Sequence, residues 1–235
     1  MQFIENSFFA VRAAVYELAR GADEPRFLLF PMIHIGSPAY YRDVHSRLAR
    51  CDIILFEAVR SPRVAILTLA YRIVAHRRRL GLVTQSSALP LRNLSAKLIH
   101  GDVTAVQFAE SWGRLPWAWR AALYVGAPLF GAYLYLTATR RSLGKYLSKE
   151  DLPSSEETMS ADRMPGVEEA IVHARDRKVT ESIQAILRNK TAGRSLVGIL
   201  YGACHMGAIT TTLMGSLRYR VVRAEWLSVF EYEDG

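Results

Sequence analysis

The sequence predicts an α/β fold, a mixed β-sheet with flanking helices and a mostly helical, hydrophobic mid-chain insertion. Three observations carry that expectation. Short apolar runs alternate with helix-like stretches, the pattern of strand–helix–strand units and parallel pairing. The chain opens on two apolar runs joined by turn residues, a hairpin that makes the sheet mixed. Between the strand-like halves lies Ala121 to Thr139, 19 residues without a charge. A chain of 235 residues, half of them hydrophobic, can bury one sizeable core. Residues 1–235 therefore read as a single domain, with 113–160 as a helical insertion or lid.

In the opening hairpin, "FFAVRAAVYELA" is rich in aromatic and β-branched residues, "RGADEP" supplies the turn, and "RFLLFPMIHI" is the second strand. A helix from about Ala39 to Ala49 follows, with Ser37 and Pro38 near its start. "DIILFEAV" is a short buried strand. Pro62 opens a long helix to about Leu80, and "GLVTQSSALPLRNL" is a strand or extended link ending in turns. In "LIHGDVTAVQFAESW", Asp102 or Thr104 caps a helix over Ala105 to Trp112. "KEDLPSSEET", Lys149 to Thr158, is polar and Pro/Ser-containing, the best linker in the chain. A helix from about Pro165 to Asn189 precedes the strand "SLVGILYG". His205 to Leu217 is then a helix, and "YRVVRAEWLSVFEY" a closing strand.

The formal charge of +8 points to an acidic partner surface such as anionic lipid or nucleic acid. A nucleic-acid partner is not favoured, because the positive residues form no long tract. They gather as "HRRR" (His76 to Arg79) and "RRSLGK" (Arg140 to Lys145), each ending an apolar stretch. Solvated helix ends explain such clusters, and so do charges flanking a membrane contact. Cys51 and Cys204 form no disulfide framework and no paired motif, which suits a reducing compartment. The N-terminal stretch carries Glu5 and Arg12 within its apolar run and is not a convincing signal peptide. The expected location is cytoplasmic or membrane-associated. Trp117, Trp119, Tyr133 and Tyr135 suit an interface around Ala121–Thr139, while Gly126, Pro128 and Gly131 interrupt it. We expect a hydrophobic helical lid, membrane-associated and not a single span.

Three apolar strands end in a metal-binding residue type. "FLLFPMIH" ends in His34, "DIILFE" in Glu57, and "VGILYGACH" in His205. Ligands of open α/β sheets bind outside the carboxyl ends of the strands. Neighbouring strands of this kind would converge two imidazoles and a carboxylate, a set that holds a divalent metal with a position open for water. A carboxylate in "ILFEAV" is otherwise costly to bury unless it pairs, for example with Arg60 or Arg63. Either histidine taken alone is more often an ordinary hydrogen-bonded residue, and the three strand ends together carry the site.

"PMIHIGS", "RLARCDIILFEAV" and "YGACHMGAI" together resemble the TraB/PrgY/GumN family, which is related to Tiki proteases and more distantly to erythromycin esterase and ChaN-like proteins. The late Gly-x-x-His motif is intact as Gly202, Ala203, Cys204, His205. The early one keeps His34 but has Pro31 where glycine is usual. "LIHGDVTAVQF" and "HARDRKVTESI" are similar to further family segments, the latter carrying Arg175 and Asp176, while 113–160 is least matched. The resemblance implies metal-dependent hydrolysis, peptidase-like, of a small peptide or ester. It implies a divalent ion, Mn, Co or Zn, on His34, Glu57 and His205. His100 or Asp102 is then a candidate for moving the proton, and Arg175 for binding a substrate carboxylate or phosphate. The esterase relatives imply instead that Glu57 is a base without metal. The alternative is a non-catalytic, peptide-binding regulator of the pheromone-shutdown type. Cys204 reads as a small packing residue.

Overall fold

The computed structural model describes residues 1–59, 61–150, 172–189 and 193–232. The hairpin forms as β2 (Ala10–Ala19) and β3 (Arg26–Met32), preceded by β1 (Ile4–Asn6). After the two-residue β4 (Ile35–Gly36) comes α1 (Pro38–Leu48). The Ser37 side chain accepts the Tyr40 N–H, and Pro38 sits in the first turn, where its missing N–H costs nothing. The helix buries Tyr40, Tyr41, Val44 and Leu48, one face at helical spacing.

Strand β5 (Ile53–Phe56) leads to α2 (Pro62–Leu67) and α3 (Leu69–Ala75). The single helix expected from Pro62 to Leu80 is thus broken. Thr68 takes ψ near 2° between the two pieces, and Gly81 at φ 59° ends a following 3₁₀ turn in the left-handed region. Next come β6 (Val83–Thr84), α4 (Gln85–Ala88) and β7 (Lys97–His100), a strand that the sequence reading did not separate from the helix after it. The helix expected from Ala105 is α5 (Ala105–Gly113), and the described part of the 113–160 insertion is helical: α6 (Trp117–Thr137) and α7 (Arg140–Glu150). The expected linker begins inside α7, at Lys149 and Glu150, and its remainder, with the first part of the predicted Pro165–Asn189 helix, lies outside the described residues; the rest of that helix is α8 (Ala174–Arg188). Strand β8 (Leu196–Gly202) passes through a 3₁₀ turn, Ala203–His205, into α9 (Met206–Thr210), and β9 (Arg220–Glu231) closes the sheet.

The main sheet is mixed. Pairing runs β1–β2–β3–β8–β5–β7, with β9 antiparallel along the whole of β2. Because β1 and β3 divide one edge of β2 between them, β9 occupies the other. Strands β3, β8, β5 and β7 are parallel, so Met32, Gly202, Phe56 and His100 end on one edge of the sheet in adjacent positions. Parallel strands need long crossovers, and α1 and the mid-chain helices supply them. In β8 every residue after Leu196 is buried, which explains its unbroken apolar sequence.

Helix α6 packs on α3, where Gly131 lets the backbones close: an added Cβ would stand 2.9 Å from Ala70 Cα. Its far side leaves Trp117, Val125, Leu129 and Leu136 exposed. No helix among the described residues is long and apolar enough to cross a membrane. A second apolar cluster of Val103, Phe108, Trp112 and Leu115 takes in Leu123 and Tyr124 of α6, together with Val59 and Ala174. Residues flanking Glu57, Asp102 and Arg175 therefore belong to the surface on which the insertion rests.

Candidate functional site

Glu57 follows β5 directly, and its N–H continues the parallel ladder to the Leu200 carbonyl at 3.1 Å. That register points its carboxylate along the sheet edge. The Gly202 N–H donates to Oε2 at 2.6 Å, and the Arg175 guanidinium bonds Oε1. The same guanidinium grips Asp102, with Nε 2.9 Å from Oδ1 and Nη2 2.7 Å from Oδ2. Asp102 Oδ1 also accepts the Val103 N–H at 2.7 Å. Its side chain is 0% exposed, against 12% for Arg175. Burial on this scale is tolerable only for charges that are paired and fully hydrogen-bonded.

The electrostatics follow from those partners. Burial pushes the Glu57 pKa up, but Arg175, His205, His34 and the Gly202 N–H outweigh it and lower it to about 2. Arg175 is held fully protonated: burial works against its charge, and the two carboxylates more than restore it. Gly202 is required by close approach, since a Cβ there would lie 3.2 Å from Glu57 Oε2, 3.6 Å from His205 Cδ2 and 3.7 Å from Cys204 Sγ.

His205 sits at the end of the turn after β8 and is 1% exposed. Its Nδ1 lies 2.7 Å from Asp176 Oδ1, and its ring meets the Tyr201 ring edge-on at 5.4 Å. Tyr201 in turn donates to the Gly101 carbonyl at 2.6 Å, tying β8 to the end of β7. Burial by itself would depress the His205 pKa. Hydrogen bonding to Asp176 and Cys204, with the charge of Glu57, reverses this and raises it to about 10. Arg175 and Asp176 are thus consecutive residues of α8 that serve two different partners.

Glu57, Asp102, Arg175 and His205 come together with Asp176, which the sequence reading noted only as part of a family segment. The alternative pairing of Glu57 with Arg63 does not form, Arg175 taking that place, and Arg60 lies outside the described residues. His34 is exposed beyond β3, its ring 5.5 Å from that of Tyr71, and its charge is one of those that lower the Glu57 pKa. His100 Nε2 stands 2.6 Å from the Ala58 carbonyl; a carbonyl only accepts, so Nε2 carries the proton. That bond secures the segment following Glu57. Cys204 is exposed and does not fill the packing role expected of it. A groove of about 850 Å³ begins at Val59, two residues beyond Glu57, and runs past Ser61, Thr68, Arg72 and Thr84.

The three-ligand metal set is not assembled. No group of three or more His, Cys, Asp or Glu side chains among the described residues is arranged to hold a metal ion. Both Glu57 oxygens are occupied by donors, one of them a guanidinium that repels a cation. The donor set therefore does not fit a divalent ion. No family model, no curated protein and no solved structure matches the chain. The site's chemistry has to be read from its own contacts.

Two outcomes follow from these contacts. Arg175→Met leaves the Asp102 charge buried without its partner and should cost about 3–5 kcal/mol in a urea melt, with part recovered when Asp102→Asn is added. An additive double variant would mean that the pair is not coupled. Stability should also depend on pH at both ends. Glu57, lowered from 4.5 to about 2, contributes fully above pH 4.5 and loses its contribution as pH falls toward 2. His205, raised from 6.5 to about 10, contributes fully below pH 6.5 and loses its contribution as pH rises toward 10. Asp176→Asn should flatten the alkaline limb; an unchanged alkaline slope in that variant rules out the pairing as its cause.

Proposed function

We propose that the protein is a hydrolase of a small peptide or ester, with its proton-transfer centre at the Asp176–His205 pair. One observation carries this reading: a carboxylate-supported imidazole stands at the carboxyl edge of the parallel strands, 2.7 Å from its partner. The resemblance of the motifs around His34, Glu57 and His205 to TraB/PrgY/GumN and Tiki-like sequences supports the same reaction class. Asp176 orients the ring through Nδ1, which leaves Nε2 for chemistry. A protonated His205 suits the role of general acid and stabiliser of developing negative charge. Glu57 is fully ionised at neutral pH and bonded through both oxygens, so it positions Gly202 and Arg175 and is not the base. Arg175 is likewise engaged and not free to bind substrate. The metal-dependent version of the mechanism is not carried forward, because the donor set does not accept the ion.

A non-catalytic peptide-binding role has its own support in the 1% exposure of His205 and the full pairing of Asp102. Turnover separates the two. The protein should hydrolyse p-nitrophenyl acetate or a fluorogenic peptide, and His205→Gln should slow it by about 10²–10⁴-fold, the usual weight of acid–base catalysis. Saturable binding of the peptide without turnover would favour the regulator.

We further propose that the insertion associates with an anionic membrane surface. The support is the exposed apolar side of α6, with Trp117, Leu129 and Leu136, on a chain of net charge +8. The protein should co-sediment with phosphatidylserine vesicles at low salt, less at high salt, and Leu129→Asp should weaken it. Equal recovery on neutral phosphatidylcholine at every salt concentration would remove the anionic partner.

A further inference from the structure

We propose that Cys204 is the covalent nucleophile of this site, taking an acyl group onto Sγ with His205 as its proton partner; the proposal rests on the hydrolase reading above. The turn that follows β8 presents one side chain outward. Ala203 and His205 are 0% and 1% exposed, whereas Cys204 between them is exposed. His205 is almost sealed from solvent, and Cys204 is the neighbour that reaches it.

The geometry around Gly202 supplies the link. The position that a Cβ would take there lies 3.7 Å from Cys204 Sγ and 3.6 Å from His205 Cδ2. With no side chain on Gly202, sulfur and imidazole border the same small space. Nδ1 is taken by Asp176 at 2.7 Å, which leaves Nε2, the atom bonded to Cδ2, as the ring nitrogen open to the sulfur. Carboxylate, imidazole and thiol thus form one chain, Asp176 to His205 to Cys204, on the edge where ligands of α/β sheets bind. Cys51 shows the contrast. It is buried in the core, and burial pushes its thiol up to about 12.

The chemistry balances with water as the only co-reactant. Sγ, as the thiolate paired with the protonated His205, attacks the acyl carbon of an ester or amide. The C–O or C–N bond breaks as the imidazolium gives its proton to the leaving alcohol or amine, giving a thioester on Cys204 and a neutral imidazole. Water then attacks the thioester, its proton goes to His205, and the C–S bond breaks to release the carboxylic acid and restore the thiolate–imidazolium pair. Asp176 touches no reacting atom and acts as a positioning residue.

The test uses the full chain with p-nitrophenyl acetate, acid quench and peptide mapping, alongside iodoacetamide labelling at neutral pH. We expect an initial burst, acetyl on Cys204 and none on Cys51, and loss of both burst and turnover in Cys204→Ser. We also expect Cys204 to be alkylated far faster than Cys51, and this rate to fall in His205→Gln, which a merely structural histidine would not cause. Undiminished turnover in Cys204→Ser overturns the nucleophile and leaves the hydrolase reading standing. Acetylated Cys204 that never deacylates keeps the nucleophile and removes the hydrolase. Absence of both turnover and acetyl-Cys204 removes both, and alkylation of Cys204 that ignores His205→Gln breaks the pairing.

Discussion

The Arg175 guanidinium lies between two carboxylates that arrive from different strands, and the carboxyl edge of the sheet is organised around it. Glu57 follows β5 and Asp102 follows β7, adjacent parallel strands whose ends would otherwise bring two buried negative charges together. One planar cation removes that repulsion, and its fork suits the bidentate grip on Asp102 as a lysine ammonium would not. The contacts span 118 and 73 residues of sequence, so the same side chain also docks α8 onto the sheet.

Docking α8 brings more than Arg175. The next residue, Asp176, faces His205, so the charge network of Glu57 and the imidazole pair share one helical turn. The backbone N–H of Gly202 joins the two halves by donating to Glu57, three residues before His205. The apolar cluster of Val103, Phe108, Trp112 and Leu115 borders this region through Val59 and Ala174. Charge pairing therefore sets both the shape of the edge and the protonation of its groups. Glu57 stays ionised because Arg175 is beside it, and His205 holds its proton because Asp176 is.

The fold was largely legible. The alternation of apolar runs gave β2, β3, β5, β8 and β9, and the turn residues "RGADEP" gave the hairpin. Strand β7 was hidden because "KLIH" is only four residues and runs straight into a strong cap at Thr104. The break at Thr68 was hidden because α2 and α3 share one continuous apolar composition. The site was legible as to place and only partly as to chemistry. Ending a strand with Glu57 or His205 marks a crevice, but nothing local to "ILFEAV" says which cation answers the carboxylate.

What the sequence determined by itself is therefore the set of strands and the kinds of polar residue delivered at their ends. Both are local, set by side-chain period and by the cost of burying a charge. Tertiary structure decided the partners. Parallel register placed Phe56 beside Leu200 and His100, and the docking of α8 put a guanidinium where a metal ion was expected. It also turned Cys204 outward while burying His205, a difference between neighbours in one turn. Such choices depend on which surfaces meet once the sheet is assembled, and adjacent residues of the chain carry no record of them.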